Sequence, residues 1–114
     1  MGNNIFYVYI RLRNMPLTEL PTMLRKTVTS YLEDTAVLAV SVCKEQELEE
    51  CLTKKVRFWE EAMKSPEAKY KEAELVIHQI QVSNGGLELS YAILGSIAEA
   101  GLTLNITHTI CKLI

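Results

Sequence analysis

The sequence predicts a single α+β domain, and three observations predict it. Strict apolar–polar alternation recurs in four short runs, and segments with apolar residues at helical spacing lie between them. Of the 114 residues, 48% are hydrophobic and 23% charged, a balance that fits a packed core and is too apolar for a disordered chain. A chain of this length holds one domain, residues 1–114.

The first strand is Ile5 to Arg13, with Phe6, Val8, Ile10 and Leu12 on one face and Tyr7, Tyr9, Arg11 and Arg13 on the other. Asn14 to Pro16 breaks it. Thr18 is then the expected N-cap of a helix with Pro21 in its first turn, where a missing N–H is harmless. Leu17, Leu20, Leu24, Val28 and Tyr31 form its apolar stripe, and it ends near Asp34. The second strand is Ala36 to Cys43, with Leu38, Val40 and Val42 opposed to Val37, Ala39, Ser41 and Cys43.

From Lys44 to Glu74 the composition changes: 16 of 31 residues are charged, nine Glu and seven Lys or Arg. Leu48, Leu52, Val56, Trp59 and Met63 still recur at helical spacing, so the segment reads as an amphipathic helix. Ser65-Pro66-Glu67 stops it and starts a short second helix. The third strand is Leu75 to Val82, with Val76, His78, Ile80 and Val82 on the expected inner face. Ser83-Asn84-Gly85-Gly86 is a turn. A helix lined by Leu87, Tyr91, Leu94 and Ala98 follows and ends at Gly101, a natural left-handed cap. Thr103 to Leu113 is the last strand, with Leu104, Ile106, His108 and Ile110 facing one way.

The order is therefore β-α-β, a charged helical insertion at about 44–74, then β-α-β. Two such units, each of about 40 residues, point to the split β-α-β, ferredoxin-like arrangement. The alternative is a doubly wound α/β sheet in which every connection is a crossover helix.

Charge and motifs exclude several functions. The net charge is −2, the isoelectric point about 5.7, and no run of Lys or Arg exceeds two residues, so nucleic acid is not an expected partner. An RNA-recognition sheet would also need aromatics on the third strand, which reads Leu75-Val-Ile-His-Gln-Ile-Gln-Val82. No apolar run approaches the roughly 18 residues of a membrane span. Three cysteines (Cys43, Cys51 and Cys111), without C-x-x-C or a signal peptide, read as reduced thiols in a cytoplasmic protein. There is no phosphate-binding loop, H-E-x-x-H or nucleophile elbow, and the one aspartate, Asp34, stands at a helix exit. No catalytic residue, metal site or cofactor is expected. His78 and His108 read as satisfied residues between sheet and helices, and the cysteines as small hydrophobes.

The informative feature is the second face of the sheet. It is expected to collect Tyr7, Tyr9, Arg11, Arg13, Ser41, Gln79, Gln81, Asn105, Thr107 and Thr109. This set is too polar for a core and too aromatic to be merely wet. Three uses are open: pairing with a second copy, cover by the Trp59 helix, or a ligand. Tyr rings stack on planar groups and the arginines meet anions. Asn84-Gly85-Gly86 before a helix is a second candidate, because glycines allow close approach and helix starts favour anions.

Val82-Ser-Asn-Gly-Gly-Leu-Glu-Leu, followed by Ile93-Leu-Gly-Ser-Ile-Ala-Glu-Ala-Gly-Leu-Thr-Leu-Asn-Ile106, resembles one half of an ACT-type regulatory domain. That resemblance implies a βαββαβ dimer binding an amino acid near the glycine-bearing loop, at a subunit interface. The expected function is a non-enzymatic small-molecule-binding module, regulatory or sequestering, working as a homo-oligomer. Its ligand would be small and anionic or zwitterionic, held by Tyr7, Tyr9, Arg11, Arg13, Asn84, Gly85 and Gly86. The alternative is a protein–protein interaction module, an inhibitor or adaptor, that uses the charged helix around Trp59. Tyr7, Tyr9 and Trp59 are the expected interface residues.

Overall fold

The alternation at Ile5–Leu12 does make a strand, β1, and it becomes the centre of the sheet. The computed structural model describes residues 4–64, 73–81 and 87–110. After β1 the chain makes a 3₁₀ turn at Leu17–Glu19 and a single helical turn, α1, at Thr22–Arg25. Strand β2 (Val28–Leu32) then forms a hairpin with β3 (Thr35–Lys44).

The long helix expected over residues 18 to 34 is therefore absent. Thr27-Val28-Thr29 is β-branched and loses side-chain freedom in a helix. Glu33 and Asp34 both take positive φ, 51° and 59°, and close the hairpin as the two-residue loop that right-twisted strands favour. Tyr31, read as part of a helical stripe, donates its hydroxyl to the Met15 carbonyl at 2.9 Å and the Asp34 carboxylate at 3.0 Å. It ties the loop after β1 to the hairpin.

A 3₁₀ turn at Glu45–Glu47 leads into α2 (Leu48–Met63), the helix read from Leu48, Leu52, Val56 and Trp59. Then follow β4 (Ala73–Gln81), α3 (Tyr91–Glu99) and β5 (Thr103–Ile110). The strand order is β2-β3-β1-β4-β5. Neighbours are antiparallel except β4 and β5, which run parallel. Every strand expected from alternation is present, and β2 is an addition. The charged segment is not an insertion between two units. Helix α2 is the connection from β3 to β4, two parallel strands with β1 between them.

Helices and sheet share one core. Phe6, Val8, Ile10, Leu12, Leu38, Leu75 and Ile77 pack with Leu48, Leu52, Val56 and Trp59 of α2, Ile93 and Ile97 of α3, and Leu24 of α1. Helix α2 thus lies on the same side of the sheet as α3 and does not cover the second face. Helix α3 is rotated from its expected stripe: Ile93 and Ile97 are buried, whereas Tyr91 is 94% exposed. Ser90 caps it by accepting the Ile93 N–H, and Gly101 at φ 76° ends it as read.

Strand β3 changes phase midway. Its pairing with β1 shifts between Val8 and Ile10, and Ala39 adopts φ 53° with its N–H given to the Thr27 carbonyl at 2.9 Å. This bulge inserts one residue. Ala36 and Leu38 face the helices before it, and Ser41 and Cys43 after it, while Val40 and Val42 turn to the other side.

Candidate functional site

The sheet face opposite the helices, open among the described residues, is the candidate site, and β1 sets its axis. Alternation puts Ile5, Tyr7, Tyr9 and Arg11 on this face, because Phe6, Val8, Ile10 and Leu12 are under the helices. Cross-strand register then adds Val42 beside Tyr7 and Val37 beside Arg11 on β3. On β4 it adds His78 beside Tyr7, Val76 beside Tyr9 and Glu74 beside Arg11. Asn105, Thr107 and Thr109 of β5 complete the row.

The face has a charged end and an apolar end. At the charged end Glu74 takes two hydrogen bonds from Arg11, at 3.2 and 2.9 Å, and one from Asn105 at 3.0 Å. Arg13 adds an ion pair at 2.7 Å. Opposite charges facing each other across two strands give this geometry directly. Hydrogen bonding from Arg11 lowers the Glu74 pKa from 4.5 to about 2, against a desolvation penalty, with Asn105 and the charge of Arg13 assisting. The same bond raises the Arg11 pKa. Both arginines expected to meet an anion thus already hold a carboxylate of their own chain.

In the middle, the His78 ring is held from both sides by β5: Nδ1 lies 2.5 Å from Thr107 Oγ1 and Nε2 3.0 Å from Thr109 Oγ1. Val76 is fully buried on this face although it stands outside the helix-side core. At the apolar end Val42 is 59% exposed, with Val40 and Ile5 at 39% each.

Several expected positions are corrected. Ser41 lies on the helix side, because the bulge rephases β3; its Oγ accepts a hydrogen bond from Lys55 of α2 at 2.5 Å. Gln79 faces the helices too and is buried, across from Phe6, with its Nε2 lacking a partner among the described residues. Gln81 has the same parity. His78 was expected inside and is on the open face; His108 lies across from Gln79 on the other face, so the two rings are on opposite sides of the sheet. Cys43 faces the helices and is 8% exposed. Trp59 is 2% exposed within its own chain, so its ring is a core residue and not an interface. Asn84, Gly85 and Gly86 lie outside the described residues.

Glu74 was not singled out from the sequence, where it ended a charged run. The parity of Glu74 and His78 was the available signal, since a carboxylate and an imidazole two pleats apart belong on the wetter face. Alternation could not settle it, because Leu75 and Ile77 alternate with Val76 and Ile80 and both faces of β4 are apolar.

A cavity of about 450 Å³ lies between the start of α2 and Leu87-Glu88. Glu45, Glu49 and Glu88 line it, and Glu49 accepts the Ser90 N–H at 2.8 Å. Its charge does not suit an anion. Among the described residues no group of three or more His, Cys, Asp or Glu could hold a metal ion, and no helix is long and apolar enough to cross a membrane. No protein-family model, curated protein or solved structure matches the chain.

Proposed function

We propose that the protein is a non-enzymatic binding module that works as a homo-oligomer, pairing through the open sheet face. One observation carries this reading: an apolar strip of Ile5, Tyr7, Val40 and Val42 stands on a face that no helix among the described residues covers. Contiguous exposed apolar patches of this kind mark interaction surfaces. A second copy is the occupant the chemistry favours. A two-fold contact needs a surface complementary to itself, and here the charges are largely matched within the chain by the Glu74 network, leaving an apolar strip to meet its own image.

The first four strands support a ferredoxin-like arrangement for this module. β1 and β2 are parallel with β3 between them, and β3 and β4 are parallel with β1 between them, so two split β-α-β units interlock. The α3–β5 segment extends that sheet by one parallel strand. A small anionic or zwitterionic ligand belongs to the same reading at the charged end, where Arg13 is 51% exposed and an anion would compete with Glu74 for it.

Analytical ultracentrifugation tests the oligomer. The wild-type chain should sediment as a dimer or higher species at micromolar concentration, and Val42→Lys as a monomer with its fold intact. A wild-type monomer at high concentration would overturn the reading.

A further inference from the structure

The face that α2 covers holds a second chemical feature, independent of the oligomer. Cys43 ends the buried row of β3, and Cys51 lies in the first turn of α2. The two thiols are close enough to interact, Cys51 helping to raise the pKa of Cys43. Cys43 is 8% exposed and Cys51 half-buried. Both line a cavity of about 210 Å³ together with Ser41, Glu47 and Lys55. Lys55 is itself 9% exposed, its ammonium fixed on Ser41.

We propose that Cys43 and Cys51 are a site of reversible oxidative modification, a dithiol that hydrogen peroxide converts to a disulfide. The roles divide by environment. Burial, and the neighbouring thiol after it, push Cys43 up to about 12, so it stays protonated. Cys51 is the more exposed of the two residues and is the one a peroxide in the cavity meets first.

The Cys51 sulfur gives up its proton and attacks one peroxide oxygen. The sulfur–oxygen bond forms as the oxygen–oxygen bond breaks, and the leaving hydroxide takes up a proton to become water. The Cys43 sulfur then attacks the Cys51 sulfur, expelling the sulfenic oxygen, which takes the Cys43 proton and departs as a second water. The dithiol loses two electrons and the peroxide gains them. Because both residues line one cavity, the disulfide closes a short loop from β3 to α2 without unfolding either.

The test treats reduced full-length protein with hydrogen peroxide, blocks remaining thiols with an alkylating agent and maps the peptides by mass. The expected product is a Cys43–Cys51 cross-link lighter by two hydrogens and reversed by dithiothreitol. In Cys43→Ala, a cyclic dione should trap the sulfenic acid on Cys51; in Cys51→Ala, Cys43 should remain a thiol under the same treatment. Alkylation of both Cys43 and Cys51 in peroxide-treated wild type would overturn the proposal, and so would cross-links only to Cys111. The wild-type map decides even where a variant fails to fold.

Discussion

The two faces of the sheet share the same eight residues of β1 and are finished by different physics. Toward the helices, Phe6, Val8, Ile10 and Leu12 are at most 1% exposed and the cover is supplied by Leu52, Val56 and Trp59. Away from them, no element among the described residues lies on top. That side is organised within the sheet, by Glu74 between two arginines, by His78 between two threonines, and by Val76 shielded among its neighbours. One face obtains its stability from apolar area removed from water and the other from cross-strand polar pairs.

The comparison can be broken most severely from the covered side. Trp59→Ala removes a ring that spans α2 and the sheet and should cost about 3–5 kcal/mol, read as a lower urea midpoint at unchanged slope. Glu74→Gln comes next. It leaves Arg11 and Arg13 without their anion, and denaturant titration should show a loss of about 1.5–3 kcal/mol, the scale of hydrogen bonds to charged groups. If the open face were merely wet, that substitution would cost almost nothing.

The same carboxylate fixes a pH response. Its pKa falls on folding from 4.5 to about 2, so its contribution is complete above the unfolded value and disappears as pH falls through the folded one. Wild-type stability should therefore decline between about pH 4.5 and 2, and Glu74→Gln should flatten that decline. The smallest effect on the fold belongs to Val42→Lys. At 59% exposure it should change the unfolding free energy by no more than about 0.5 kcal/mol while abolishing self-association, a separation that core variants cannot show.

Much of this was legible in the sequence. Alternation located β1, β3, β4 and β5, and helical spacing located α2 and its buried stripe, because these segments have one strongly apolar face. Residues 18–34 misled because Leu20, Leu24, Val28 and Tyr31 satisfy helical spacing although they are divided between a helical turn and a strand. Only the β-branched run at Thr27-Val28-Thr29 argued otherwise. The candidate site was half legible. Tyr7, Tyr9, Arg11, Asn105, Thr107 and Thr109 stand on the expected face, since β1 and β5 each have one clear parity. Ser41 was lost to a bulge that composition does not announce, and Gln79 and His78 to a strand apolar on both sides. That Arg11 and Arg13 spend their charge on Glu74 depends on which strands are neighbours, and no local pattern states that.

The bulge at Ala39 has a consequence for how the length of this chain can change. It takes up the one residue by which β3 outruns β1 between Val8 and Ile10. Deleting Ala39 would place Val40 directly after Leu38 and make the pairing regular, with Ser41 and Cys43 still toward α2 and Val40 and Val42 still on the other side. Straightening the bulge with the residue kept would instead slip the register by one and turn residues 40 to 44 over. The strand can therefore lose a residue at this one point and keep both of its faces, whereas it keeps its present length only by staying bulged.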